Sequence, residues 1–152
     1  MARRALSRYR SRGLDRLDRA VLEAASAGGV DGTAVLEIGG GIGAIQSELL
    51  DSGAHRGEVV ELVSAWEPFA TELAREKGQA EQSTFRVADV LEHPDKVDPA
   101  DVVVLNRVVC CSPDGVELAR SAASLTRRTL VLSFPRDVLW LRAGATVKRI
   151  GT

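Results

Sequence analysis

An acidic residue lies two positions before a cluster of glycines in the stretch VLEIGGGIGA, residues 35–44. The acid is Glu37, and the glycines are Gly39, Gly40, Gly41 and Gly43. A residue without a Cβ lets a ligand lie against the main chain. So many glycines in five residues also cost more chain entropy than a simple turn requires. The stretch therefore predicts a ligand-binding bend.

Two kinds of ligand fit this bend. The spacing Gly39-x-Gly41-x-x-Ala44, with Glu61 twenty positions after Gly41, matches the fingerprint of a dinucleotide-binding loop that cradles a pyrophosphate. However, helix N-termini attract anions, and Glu37 would compete with a pyrophosphate placed there. An acid in this place suits a ligand with a positive group, such as an ammonium or a sulfonium. The residues alone leave both alternatives open.

Strand and helix patterns alternate along the chain and place the bend between a strand and a helix. Short apolar runs predict five strands, at 33–38, 57–63, 83–90, 101–105 and 129–135. Helical spacing predicts helices between them and another helical segment over 137–152. This alternation predicts an α/β fold, a doubly wound and mostly parallel sheet with ligands at the carboxyl ends of its strands.

The stretch VLEIGGGIGA resembles the first motif of the class I S-adenosylmethionine-dependent methyltransferases. The similarity continues in register for about 100 residues, through GEVVELVSAW, FRVADV and ADVVVLNRVVCCSPD, which resemble the second, third and fourth strands of that family. The resemblance implies a Rossmann-like fold, S-adenosyl-L-methionine as the cofactor and methyl transfer as the activity. Two rivals remain, an NAD(P)-binding oxidoreductase and a non-catalytic module that binds a cofactor or a partner.

The resemblance also implies roles for individual residues. Glu37 should face the ammonium of the methionine part, above the backbone of residues 39–43. Glu61 should accept both ribose hydroxyls, in preference to Glu67, which reads as the start of the next helix because Pro68 follows it. The other expected cofactor-binding residues are Leu62, Asp89, Val90 and Asn106.

Among these, Asp89 should accept the adenine amino group beside Val90, although it could simply cap a turn. Asn106 ends the fourth strand, at the loop where class I enzymes meet cofactor and acceptor. No general base is recognisable, so no catalytic residue is assigned. The expected acceptor is a small molecule.

The resemblance divides the chain into an N-terminal helical segment, 1–30, and a methyltransferase domain, 31–152. A full class I domain has two strands after the fifth, which this sequence lacks, so we expect a domain incomplete at its C-terminus. The fifth strand would then be an apolar edge, and a partner or a second copy of the chain should cover it.

The composition limits which partners, which location and which metal content we expect for the protein. The 152 residues carry a net charge of −1, which gives no general attraction to nucleic acid or to anionic membranes. Seven arginines precede residue 20, and we interpret them as a solvated helix face rather than an RNA-binding arm. We expect a cytoplasmic protein, because the two cysteines are adjacent and do not favour a disulfide. We expect no membrane span, since no long apolar run occurs, and no metal site, since neither cysteine has a metal-ligand spacing with His55 or His93.

Overall fold

A computed structural model describes residues 1–134. Its five strands form one parallel sheet in the order β3-β2-β1-β4-β5. The strands are β1 (Ala34–Ile38), β2 (Arg56–Glu61), β3 (Ser83–Val87), β4 (Ala100–Leu105) and β5 (Thr126–Leu132). The helices are α1 (Ala2–Arg12), α2 (Arg16–Ser26), α3 (Ala44–Asp51), α4 (Glu67–Glu76) and α5 (Gly115–Ser124). The predicted α/β alternation is confirmed.

The central strands are buried on both faces, as in parallel sheets generally. In β1, Leu36 and Ile38 pack into a cluster with residues of α5, whereas Val35 packs on the other face with residues of α2 and α3. Glu37 lies on the same face as Val35, because side chains alternate along a strand. The only acid in β1 therefore points toward the side covered by α2 and α3.

The two N-terminal helices pack on the same body of the protein as the sheet. Gly13, with a φ of 65°, ends α1, and the side chain of Asp15 caps α2 by accepting from the backbone of Leu17 and Asp18. In α1, Leu6 is fully buried in a small cluster with Ile42 and Leu73. These contacts fix α1 beside the start of α3.

Several element boundaries differ from those that the sequence predicts. β3 ends at Val87 rather than at residue 90, because the Asp89 carboxylate accepts a hydrogen bond from the Leu91 backbone and begins a turn. β5 begins at Thr126, three residues earlier than expected. The helical segment predicted over 137–152 lies outside the described residues. Among residues 1–134, no helix combines the length and apolar character needed to cross a membrane.

Candidate functional site

Two cavities open where the strands end at their carboxyl termini. The larger has a volume of about 600 Å³ and the smaller about 370 Å³, and Gly39, Glu61 and Val108 line both. They lie between β1 and β4, where the order of the strands in the sheet reverses, the position at which open α/β sheets bind ligands. We call residues 39–43 the β1 loop and residues 106–114 the β4 loop.

The β1 loop is packed so closely that its glycines cannot be replaced freely. Gly39 and Gly41 have φ values of 67° and 58°, which L side chains rarely adopt. A Cβ on Gly39 would lie 2.5 Å from Val108 Cγ2, and a Cβ on Gly40 would lie 2.6 Å from Glu37 Cδ. The backbone of these glycines therefore forms the cavity wall itself.

Gly43, unlike the other glycines of the β1 loop, is not part of the cavity wall. It is the N-cap of α3 with a φ of 71°, and its Cβ position lies 2.8 Å from Val59 Cγ2. It lines neither cavity. The prediction that Gly43 contacts the cofactor stays untested, and its observed contacts are those of a helix-packing residue.

Glu37 reaches the larger cavity although only 3% of it is exposed. Its Oε2 accepts one hydrogen bond, from the Gln46 backbone N–H at 2.9 Å. Burial raises the pKa of Glu37 to about 8, the Gln46 N–H lowers it in part, and the nearby carboxylates of Asp18 and Glu61 raise it further. A positive ligand group beside Glu37 would remove this penalty.

Glu61 ends β2 and lines both cavities. Its Oε2 accepts from the Gly41 backbone N–H at 3.0 Å, and its Oε1 accepts from the Leu62 backbone N–H at 3.1 Å. Glu67 is the first residue of α4 and lines neither cavity. The placement agrees with the preference for Glu61 over Glu67 as a ligand contact.

The smaller cavity is the more apolar of the two and contains the other expected residues of the nucleoside end. Leu62 is 66% exposed at its edge, whereas Val90 is buried. Asp89 also lines this cavity, but its Oδ1 already accepts from the Leu91 backbone N–H at 2.8 Å. Asp89 therefore caps the turn after β3, whether or not it also contacts a ligand.

In the β4 loop, Asn106 is held by two side chains. Its Nδ2 donates to Asp18 Oδ1 at 2.7 Å, and its Oδ1 accepts from Ser133 Oγ at 2.6 Å. The neighbouring Arg107 has a φ of 61° and donates to both carboxylate oxygens of Asp15, at 3.0 and 2.8 Å. The loop is thus tied to α2 by polar contacts.

Three residues of the site carry no clear sequence signal. Trp66 lies over Gly41, with ring atoms 3.3 Å from the position of a Cβ there, and Val108 packs against Gly39. Asp18 comes from α2, far away in the chain. Trp66 directly precedes α4, so its place after β2 is the one feature that could have indicated it.

Solved structures similar to this one include several methyltransferases. Magnesium protoporphyrin IX methyltransferase from Synechocystis PCC 6803, solved with bound S-adenosylmethionine, matches with a TM-score of 0.67 and 25% identity. That match covers 79% of this chain and 58% of the other. An O-methyltransferase family 2 protein from Planctomyces limnophilus DSM 3776, in complex with apigenin, matches with a TM-score of 0.65 and 22% identity, over 86% of this chain and 42% of the other.

A third similar structure is the cyclase SpnF, with a TM-score of 0.64 and 18% identity over 74% of this chain and 40% of the other. No protein-family model and no curated protein sequence matches the chain. The chain spans just over half the length of the magnesium protoporphyrin IX methyltransferase that it matches at 25% identity.

The strand order of the sheet and the similar solved structures together define the fold class of the chain. The chain has the fold of the class I S-adenosylmethionine-dependent methyltransferases, as its motifs predict. A shared fold does not determine the reaction, since a cyclase has this fold as well. The function must be argued from the side chains around the two cavities.

Proposed function

We propose that the chain binds S-adenosyl-L-methionine across the two cavities and transfers its methyl group to a small-molecule acceptor. The adenosine part would occupy the smaller cavity, beside Leu62, Asp89 and Val90. Glu61, which lines both cavities, would hold the ribose. The methionine part would extend over the β1 loop toward Glu37, in the larger cavity, with Asn106 on its other side.

One observation carries this proposal. Glu37 is a buried acid that accepts a single hydrogen bond and stands beside a bend without side chains. A cationic ligand would stabilise its ionised form, whereas a pyrophosphate would be repelled by Glu37, Glu61 and Asp18 together. The acids beside the β1 loop therefore favour a sulfonium nucleoside over a dinucleotide at this bend.

The bound cofactor would supply an activated methyl group that a nucleophilic atom displaces. The protein's contribution would be alignment and exclusion of water. The close contacts of Gly39 with Val108 and of Gly41 with Trp66 give the cavity a firm wall against which ligands can be oriented. Two of the similar structures support a small-molecule acceptor: the magnesium protoporphyrin IX methyltransferase and the O-methyltransferase in complex with apigenin.

Calorimetric titration of the chain with S-adenosylhomocysteine and with NADH tests the proposal. We expect binding of the first and none of the second, and binding of NADH alone would overturn the assignment. Transfer of a labelled methyl group to a panel of small acceptors then distinguishes an enzyme from a module that only binds.

The variant Glu61→Ala locates the ligand within the site. Loss of a charged contact that accepts two hydrogen bonds should weaken S-adenosylhomocysteine binding by about 1.5–3 kcal/mol. Glu67→Ala is the matched control, because it removes the same charge six residues away and outside both cavities. A loss in Glu67→Ala but not in Glu61→Ala would move the ribose contact and reject the alignment.

A further inference from the structure

The larger cavity has charges of opposite sign on different parts of its wall. The acids Glu37 and Glu61 belong to the strands β1 and β2. Arg4 and Arg8 belong to α1, and they line the same cavity. Neither arginine is needed for the contacts assigned above to the cationic and nucleoside ends of the cofactor.

The orientation of α1 places these two arginines in the cavity. Four residues of α1, together with its N-cap, line the cavity at helical spacing, so they form one stripe: Met1, Arg4, Ala5, Arg8 and Tyr9. A different stripe anchors the helix, because Leu6 is buried beside Ile42 and Leu73. Arg10 pairs with two acids of α4, Glu72 and Glu76, and so joins α1 to α4.

Arg4 and Arg8 line the cavity without an acidic partner in the described part of the chain. Within residues 1–134, neither forms an ion pair or a side-chain hydrogen bond, whereas Arg107, which lines the same cavity, pairs with Asp15. Two guanidinium groups one helical turn apart, which line a cavity and pair with no acid of residues 1–134, are suited to an anion. Guanidinium binds carboxylate and phosphate through paired hydrogen bonds.

We propose that Arg4 and Arg8 bind an acid group, a carboxylate or phosphate, of the methyl acceptor. This inference rests on the proposed function, and it makes the acceptor an anionic small molecule. The cavity of about 600 Å³ falls within the range of complete small-molecule sites, and the nucleoside is assigned to the neighbouring cavity. The larger cavity therefore has room for an acceptor beside the methionine part.

The test compares acids with their amides. Protein saturated with S-adenosylhomocysteine is screened by ligand-observed NMR against matched pairs of aromatic and aliphatic carboxylic acids and their primary amides. We expect acids to bind in preference to amides, and the double variant Arg4→Gln/Arg8→Gln to weaken the best acid about tenfold or more. A library in which no acid binds better than its amide overturns the proposal.

The control variant is Arg3→Gln/Arg12→Gln. It removes the same charge from the same helix, but Arg3 and Arg12 do not line the cavity, so acid binding should be retained. Equal weakening in the two double variants would indicate a general electrostatic effect and overturn the proposal. Salt-sensitive RNA binding that both variants lose, without a preference for acids, would overturn it as well.

The cofactor itself carries a carboxylate, which is a second source of the same chemistry. Calorimetry of Arg4→Gln/Arg8→Gln with S-adenosylhomocysteine and with 5′-methylthioadenosine, which lacks the amino-acid part, separates the two. Unchanged affinity for both supports the acceptor, whereas selective loss of S-adenosylhomocysteine assigns the arginines to the cofactor and overturns the proposal. Failure of the unmodified protein to bind S-adenosylhomocysteine rejects the proposed function instead, and the acid screen is then read on the free protein.

Discussion

The β1 loop and the β4 loop follow neighbouring strands and line the same cavities, yet they are held in different ways. The β1 loop has almost no side chains, and its backbone packs directly against Val108, Trp66 and the Glu37 carboxyl group. The β4 loop is held by side chains, since Asn106 and Arg107 reach Asp18 and Asp15 on or beside α2. One loop is defined by close packing and the other by polar contacts.

The difference separates two functions within one site. Close packing leaves the β1 loop little freedom, which suits a surface that must fit one ligand, the cofactor. Polar contacts to Asp15 and Asp18 connect the β4 loop to the start of α2, which directly follows α1, the helix that carries Arg4 and Arg8. We infer that the acceptor side of the site depends on how the N-terminal helices are held, whereas the cofactor side does not.

The substitution Gly39→Ala should have the largest effect, because it adds a Cβ at a positive φ and 2.5 Å from Val108 Cγ2. We expect the free energy of unfolding to fall by about 2–4 kcal/mol and S-adenosylhomocysteine binding to weaken by roughly 30-fold or more. Urea denaturation and calorimetry measure the two effects.

Two further variants separate the two causes of the Gly39→Ala effect, the backbone strain and the collision with Val108. Gly78→Ala places a Cβ at nearly the same φ, 68°, with nothing within 4 Å, so it should cost only about 1–2 kcal/mol of backbone strain. Gly39→Ala/Val108→Ala removes the two methyl groups that collide and should recover part of the ligand affinity. If Val108→Ala gives no recovery, close packing between the two loops is not what shapes the cofactor side.

The second prediction concerns Glu37→Gln, which keeps an acceptor for the Gln46 N–H but removes the charge. The pKa of Glu37 is raised to about 8 in the folded protein from an ordinary value of 4.5. The folded state therefore holds a proton that the unfolded state has lost, and its stability falls as pH rises between these values. We expect Glu37→Gln to stabilise the ligand-free protein by about 1–3 kcal/mol at pH 8 and much less at pH 5.

The same variant should weaken ligand binding. S-adenosylhomocysteine carries an ammonium, so its affinity for the unmodified protein should increase between pH 6 and 8 as Glu37 ionises, and binding near pH 7 should release a proton. Glu37→Gln should bind about tenfold more weakly at pH 8 and lose this pH dependence. If the affinity of the unmodified protein does not change with pH, the ammonium of the ligand does not lie beside Glu37 at the β1 loop.

The sequence predicts the β1 loop well, because its signal is local. An acid, four glycines and the alternation of strands and helices all lie within short windows, and each reflects backbone geometry. The contacts of the β4 loop join Asn106 to Asp18 and Arg107 to Asp15 across 88 and 92 positions. No local pattern records such pairs, so the sequence does not indicate these partners or a place for Asp18 in the site, and it indicates only a solvated helix face for Arg4 and Arg8.

The smallest predicted effect is the coupling between Arg107 and Asp15, because 44% and 37% of their side chains are exposed. A double-mutant cycle of Arg107→Gln and Asp15→Asn should give a coupling energy of about 0.5–1 kcal/mol in urea denaturation at low salt. Asparagine is chosen at position 15 because it can still cap α2, so the cycle isolates the charge.

The coupling should decrease in 0.5 M salt, because exposed ion pairs are screened. Affinity for S-adenosylhomocysteine should change little in either single variant. Binding of an acid ligand should weaken, because Arg107 and Asp15 hold the β4 loop at the start of α2, which directly follows the helix that carries Arg4 and Arg8. A zero coupling energy would mean that this ion pair does not hold the β4 loop. A loss of S-adenosylhomocysteine binding as large as that of Gly39→Ala would mean that the two loops act as one rigid wall.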